Sequence, residues 1–188
     1  MITESVRFLP GLALIFAFGL TTPISAQPVT PKLKLDAELV LTPEFCSAEL
    51  KSGNGFSTVK DRYQIGEKLC PLLEAELPSL FTSLRKLESV PAPNATGAGV
   101  ILIPKMGDIG ATRGNKRELV VVVEWTALDH AGKTLWVQTI EATVQGKAGS
   151  AYTHGKHLKA MTLEAANAVL AKSEDALGSA PQLLKLAR

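Results

Sequence analysis

Few residues of this chain have the types and spacing that chemistry needs. His154 and His157, in "HGKH", stand three apart at the start of a predicted helix, a spacing that can offer two imidazoles to one metal ion. Asp and Glu are absent from 142–163, so no third ligand joins them and the pair reads as a solvated helix terminus. His130 lies beside Asp129 at the exposed tip of a predicted hairpin, where a catalytic dyad would lack both pocket and nucleophile. Glu124 and Glu141 sit mid-strand on neighbouring predicted strands, and paired carboxylates divide acid and base roles only when their environments split their pKa values. Pairing through the turn puts them several residues out of opposition, which makes them sheet-surface charges. No G-x-S-x-G, phosphate loop or dinucleotide fingerprint occurs. "TGAG" at 96–99 is an isolated glycine pair, and the sequon at 94–96 is a pattern that chance supplies often. The expectation is a protein that is not an enzyme and needs neither metal nor cofactor.

Two side-chain pairs remain. Cys46 and Cys70 are the only cysteines, and an even count in an exported chain favours a disulfide. Glu49 and Glu67 each lie three residues from a cysteine, but no His or further Cys completes a ligand cluster. A Cys46–Cys70 bond would close a glycine-rich loop of about 25 residues and contribute about 3–4 kcal/mol. Trp125 and Trp136 are the second pair. A two- or four-residue turn would set them directly opposite, on one face with Leu119, Val121, Val123 and Ile140. A bulged turn with Gly132 left-handed would shift the pairing by one and put them on opposite faces. A Trp on the face away from the helices would be a partner surface, and both registers remain open.

The elements that must position these residues follow an N-terminal segment, "GLALIFAFGLTTPISAQP", residues 11–28. Its apolar run from Phe8 to Leu20 is about 13 residues, short of the roughly 20 that a bilayer span needs. With Arg7 before it and Ser25-Ala26 after it, residues 1–26 read as a signal peptide cleaved after Ala26. Removing 26 of 188 residues leaves 162, enough for one domain, 33–188, behind a mobile Pro-rich lead-in at 27–32. One Arg and one Glu leave with the leader, so the formal charge stays +2. That balance predicts no nucleic-acid partner, and "TRGNKRE" at 112–118 reads as a solvated hairpin end. No cysteine lies near the cut, so no lipid anchor and no membrane anchor remain after cleavage.

Residues 33–41 alternate as a half-buried strand, and Thr42 to about Arg62 reads as a loop. Ile65, Leu69, Leu72, Leu73, Leu77, Leu80, Phe81, Leu84 and Leu87 then form one stripe at helical spacing. Pro71 and Pro78 would curve that helix, or divide it into two shorter ones. "GAGVILIPKM", "RELVVVVEWTAL" and "KTLWVQTIEATV" read as strands, the last two joined by Asp129–Gly132 as a type I turn with a left-handed glycine. A helix from about Lys156 to Leu177 follows, stopped by Gly178 and Pro181, then a short amphipathic tail, "QLLKLA". The expected class is α+β, in the order β-α-β-β-β-α, with both helices on one face of a four-stranded, mostly antiparallel sheet.

A first strand, the leucine-rich "IGEKLCPLLEAELPSLFTSL", a meander whose last strand begins "GKTLW", and a closing helix resemble small bacterial envelope lipoproteins. These are the YajG-like proteins, the lipopolysaccharide-assembly lipoprotein and the auxiliary lipoproteins of lipid-handling ABC transporters. The likeness covers about residues 33–177. It implies no catalytic residues and a role in binding partners or lipids in the envelope. The lipidated cysteine of those families is missing here. The resulting expectation is a periplasmic or secreted accessory protein acting through an envelope protein partner. The alternative is a soluble carrier holding an apolar small molecule or lipid between helix and sheet.

Overall fold

The computed structural model describes residues 33–52, 61–93, 99–112, 116–147 and 154–188. The leader and lead-in expected at 1–32, residues 53–60 of the expected loop, the sequon and most of "TGAG" lie outside them. The strand β1 (Asp36–Val40) is followed by a one-turn helix, α1 (Pro43–Cys46). Thr42 caps it, its Oγ1 accepting from Phe45 N at 3.2 Å, and Pro43 takes the first position, where no backbone donor is needed. A two-stranded antiparallel ribbon, β2 (Leu50–Ser52) with β3 (Asp61–Tyr63), then leads into α2 (Ile65–Glu76). The described residues of 42–62 therefore include short elements, where one loop is expected.

The apolar stripe is buried as far as Phe81 but helical only as far as Leu80. Ile65, Leu69, Leu73, Leu77, Leu80 and Phe81 are buried, with Pro71 kept inside α2 and Pro78 inside a 3₁₀ turn, Leu77–Leu80. Residues Ser83–Leu87, expected to continue the helix, are instead an extended strand, β4, parallel to β1 with Asp36 beside Ser83 and Val40 beside Leu87. A 3₁₀ turn aims the chain away from the helix axis, and "SLRKL" places Leu84 and Leu87 equally well at helical spacing or across a strand. This corrects both the long helix and the four-stranded sheet.

The main sheet has five strands in the order β4-β1-β5-β6-β7, with β5 (Val100–Thr112), β6 (Lys116–Leu128) and β7 (Thr134–Lys147). β1 pairs parallel with both neighbours, while β5, β6 and β7 form an antiparallel meander. The sheet is mixed, and the α+β class stands. The long helix α3 (His154–Ser179) packs over β6 and β7 and alongside α2. It runs through Gly178, and Pro181 opens a further helix, α4 (Pro181–Leu186), at a position where its missing N–H costs nothing.

The hairpin between β6 and β7 decides where the tryptophans point. Gly132 is left-handed, at φ 83°, and its N–H bonds Asp129 O at 3.0 Å, while Asp129 Oδ1 accepts from Ala131 N and Lys133 N at 3.0 and 2.8 Å. A bulge follows, since Ala127 pairs with Trp136 but Leu128 with Thr134, leaving Leu135 extra. The turn and the bulge each shift the register by one, so their effects on facing cancel. Trp125 stands opposite Gln138, and both tryptophans share the helix-covered face, offset rather than directly opposed. Trp125 is 0% exposed and Trp136 8%, so neither ring is available as a partner surface.

Candidate functional site

Besides ion pairs such as Arg85 with the buried Glu38, three groupings of polar or reactive side chains come together in the described residues. In the first, Cys46 at the end of α1 is bonded to Cys70 in the second turn of α2, with Cα atoms 5.6 Å apart. The approach of the two helices needs Gly66, where a Cβ would overlap the Phe45 carbonyl oxygen and the Cys46 backbone. Beside the bond, Glu49, just before the ribbon, holds Lys51 and Arg62 at 2.8 and 2.7 Å. Hydrogen bonds from Lys51 and then Arg62 hold its carboxyl below the usual range. An open cleft of about 380 Å3 is lined by Cys46, Ser47, Glu49, Arg62, Gln64 and Glu67. Its charges already satisfy one another.

The second grouping departs from expectation. His154 is not a solvated terminus: its Nε2 lies 2.5 Å from Oδ1 of Asp61, which is 3% exposed. Arg117 NH1 stands 3.7 Å from the other carboxylate oxygen, so this arginine of "TRGNKRE" is turned inward rather than solvated. The cluster ties together the beginnings of β3, β6 and α3. A His–Asp pair is the orienting part of a nucleophilic triad, but both cysteines are committed to the disulfide. No three His, Cys, Asp or Glu side chains gather to hold a metal among the described residues. What the pair does is give a buried carboxylate a close hydrogen-bonding partner. The sequence signal was slight: Asp61 and Tyr63 face inward around an exposed Arg62, across 93 residues from His154.

In the third, Trp125 Nε1 donates to Ser173 Oγ at 3.0 Å, and that hydroxyl donates to Val169 O at 2.7 Å inside α3. A buried indole needs such an acceptor. Glu124 pairs with Thr139 and Glu141 with Val122, two positions apart on the exposed outer face. His130 is half-buried in its turn, and both ring nitrogens are buried without a hydrogen-bond partner among the described residues. His157 is half-buried on α3.

No protein-family model matches the chain, and no curated protein matches it. Solved structures do. It is similar to a minor lipoprotein from Acinetobacter baumannii, at 11% identity over 79% of this chain and 94% of that one, with a TM-score of 0.47. It is also similar to a Xanthomonas campestris protein of the DUF330 family, at 8% identity over 80% and 92%, TM-score 0.44. Rare lipoprotein B from Shewanella oneidensis is 9% identical over 74% and 94%, TM-score 0.34. At these values the likeness assigns no role to any residue here. Among the described residues, no helix is long and apolar enough to cross a membrane.

Proposed function

We propose that this chain is an exported, non-enzymatic accessory protein of the bacterial cell envelope that acts by binding a protein partner. The observation that carries the reading is the Cys46–Cys70 bond, which suits an oxidising compartment and fits the leader-like segment before it. The polar groupings support it further, because Asp61–His154 and Trp125–Ser173 each join elements of the fold. Leu69, Leu73, Trp125 and Val169 are fully buried in the layer between helices and sheet, where a carrier would hold an apolar ligand. That favours the accessory role over the carrier.

The test is native mass spectrometry of the protein purified from its own host, with N-terminal sequencing. The expected result is a chain beginning at Gln27 with a protein co-purifying, and little of it left on membranes after a high-salt wash. A chain beginning at Met1 would refute export by cleavage. A co-purifying lipid would move the conclusion to the carrier.

A further inference from the structure

The sheet ends on β7, fourteen residues long, whose one ladder partner among the described residues is β6. The carbonyl of Glu141 turns outward to accept from Lys172 Nζ of α3 at 2.7 Å. Successive residues of a strand aim their N–H and C=O groups to opposite sides, so Val137, Thr139, Thr143 and Gln145 aim theirs outward with Glu141. Such a row is complementary to another extended backbone. Beside it runs a cleft of about 350 Å3, with Gln138, Thr139, Ile140 and Glu141 on one side and Lys172, Asp175 and Ser179 of α3 on the other. A strand edge flanked by a helix is the geometry in which β-strand addition binds peptides.

Resting on the partner-binding reading, we propose that an extended segment of the protein partner adds to β7 as a sixth strand, lying in the cleft beside α3. Lys172 holds the edge in the free protein and swings aside when a backbone donor replaces it. Glu141 stands exposed on the outer face of this edge, so the residue of the added strand that lies opposite it is a Lys or Arg. A second copy is disfavoured by the same charge: antiparallel pairing of β7 with itself about its middle brings Glu141 against Glu141.

The test uses the full chain in its own host, with the photo-crosslinker p-benzoylphenylalanine at Gln138 and, in separate variants, at Val120 or Leu163, away from the β7 edge. The captured segment is mapped by mass, made as a peptide of about 15 residues and titrated into the oxidised protein. Addition at β7 should slow amide exchange at Val137, Thr139, Glu141 and Thr143 by about tenfold or more, matching an added ladder bond of about 1.4 kcal/mol. N-methylation of alternate peptide amides should weaken binding by a similar factor. Thr139→Pro should do the same, because the N–H it removes points away from β6; the N-methylated peptide serves where that variant does not fold. A peptide that binds without slowing those amides, unchanged binding after N-methylation, or cross-links from Gln138 to a second copy would overturn the proposal. Cross-links from Val120 or Leu163 but not Gln138 sink the β7 site and leave the partner-based function standing. No cross-links from any of the three positions sink both.

Discussion

From Val100 onward each strand pairs with the next in sequence, β5 to β6 to β7, through turns and long antiparallel registers. Up to Leu87 the chain is organised otherwise. β1 lies parallel to β4, with Asp36 beside Ser83 and 46 residues between them, and parallel again to β5. Between β1 and β4 run a one-turn helix, a three-residue ribbon and a helix with a proline inside it. Closing long loops costs chain entropy that local hairpins avoid. The disulfide and the backbone-on-backbone approach at Gly66 fall in the region that bears that cost, whereas the tight glycine contact of the meander is Gly146 against the Met161 side chain of α3. Among the described residues the covalent tie lies where the topology is least local.

The sharpest way to break this contrast is to remove the bond. Cys46→Ser with Cys70→Ser should lower unfolding free energy by about 3–4 kcal/mol, with amide exchange rising first in α1, β2 and β3 while β6 and β7 stay protected. Uniform loss of protection would show that the two regions unfold as one unit. Next in size, Leu77→Ala removes a fully buried side chain at the junction of α2 and its 3₁₀ turn. It should cost about 3 kcal/mol by urea denaturation, and a cost below about 1 kcal/mol would mean that the stripe does not hold the two regions together.

His154→Ala should cost about 2 kcal/mol, since it takes a close partner from the buried carboxylate of Asp61. Asp61→Asn made alongside it should recover part of that loss by removing the charge. A cost indistinguishable from zero would return His154 to the status of a surface residue. Because the cluster bridges β3 to β6 and α3, this variant probes the joint between the regions.

The smallest effect is expected at Glu174, on the α3 side facing α2. Partial burial, then the nearby Glu76 and Asp175, push its carboxyl above the usual range. A pKa raised in the folded state means that stability is fullest below the unfolded pKa and falls as pH rises through the folded one. Glu174→Gln should therefore stabilise the protein slightly at pH 7, by about 0.3 kcal/mol, with the gain vanishing below about pH 4. A gain that persists in acid would point to a cause other than charge.

Local patterns alone determined much of this protein. The breaker-free runs of β6 and β7, the Asp129–Gly132 turn and the alanine-backed stripe of α3 are legible because each depends on residues within a few positions of one another. The pairing of Cys46 with Cys70 is legible because no third cysteine competes. Tertiary structure decided the rest. Leu80, Leu84 and Leu87 fit a helix as well as a strand, and only the vacant edge of β1 makes Ser83–Leu87 extended. The faces of Trp125 and Trp136 depend on a bulge at Leu135 that local sequence leaves open, and packing under α3 selects it by burying both rings. His154 and Asp61 have no local reason to meet. They pair because the fold brings the start of α3 over the end of a short ribbon, where a buried carboxylate must find a partner.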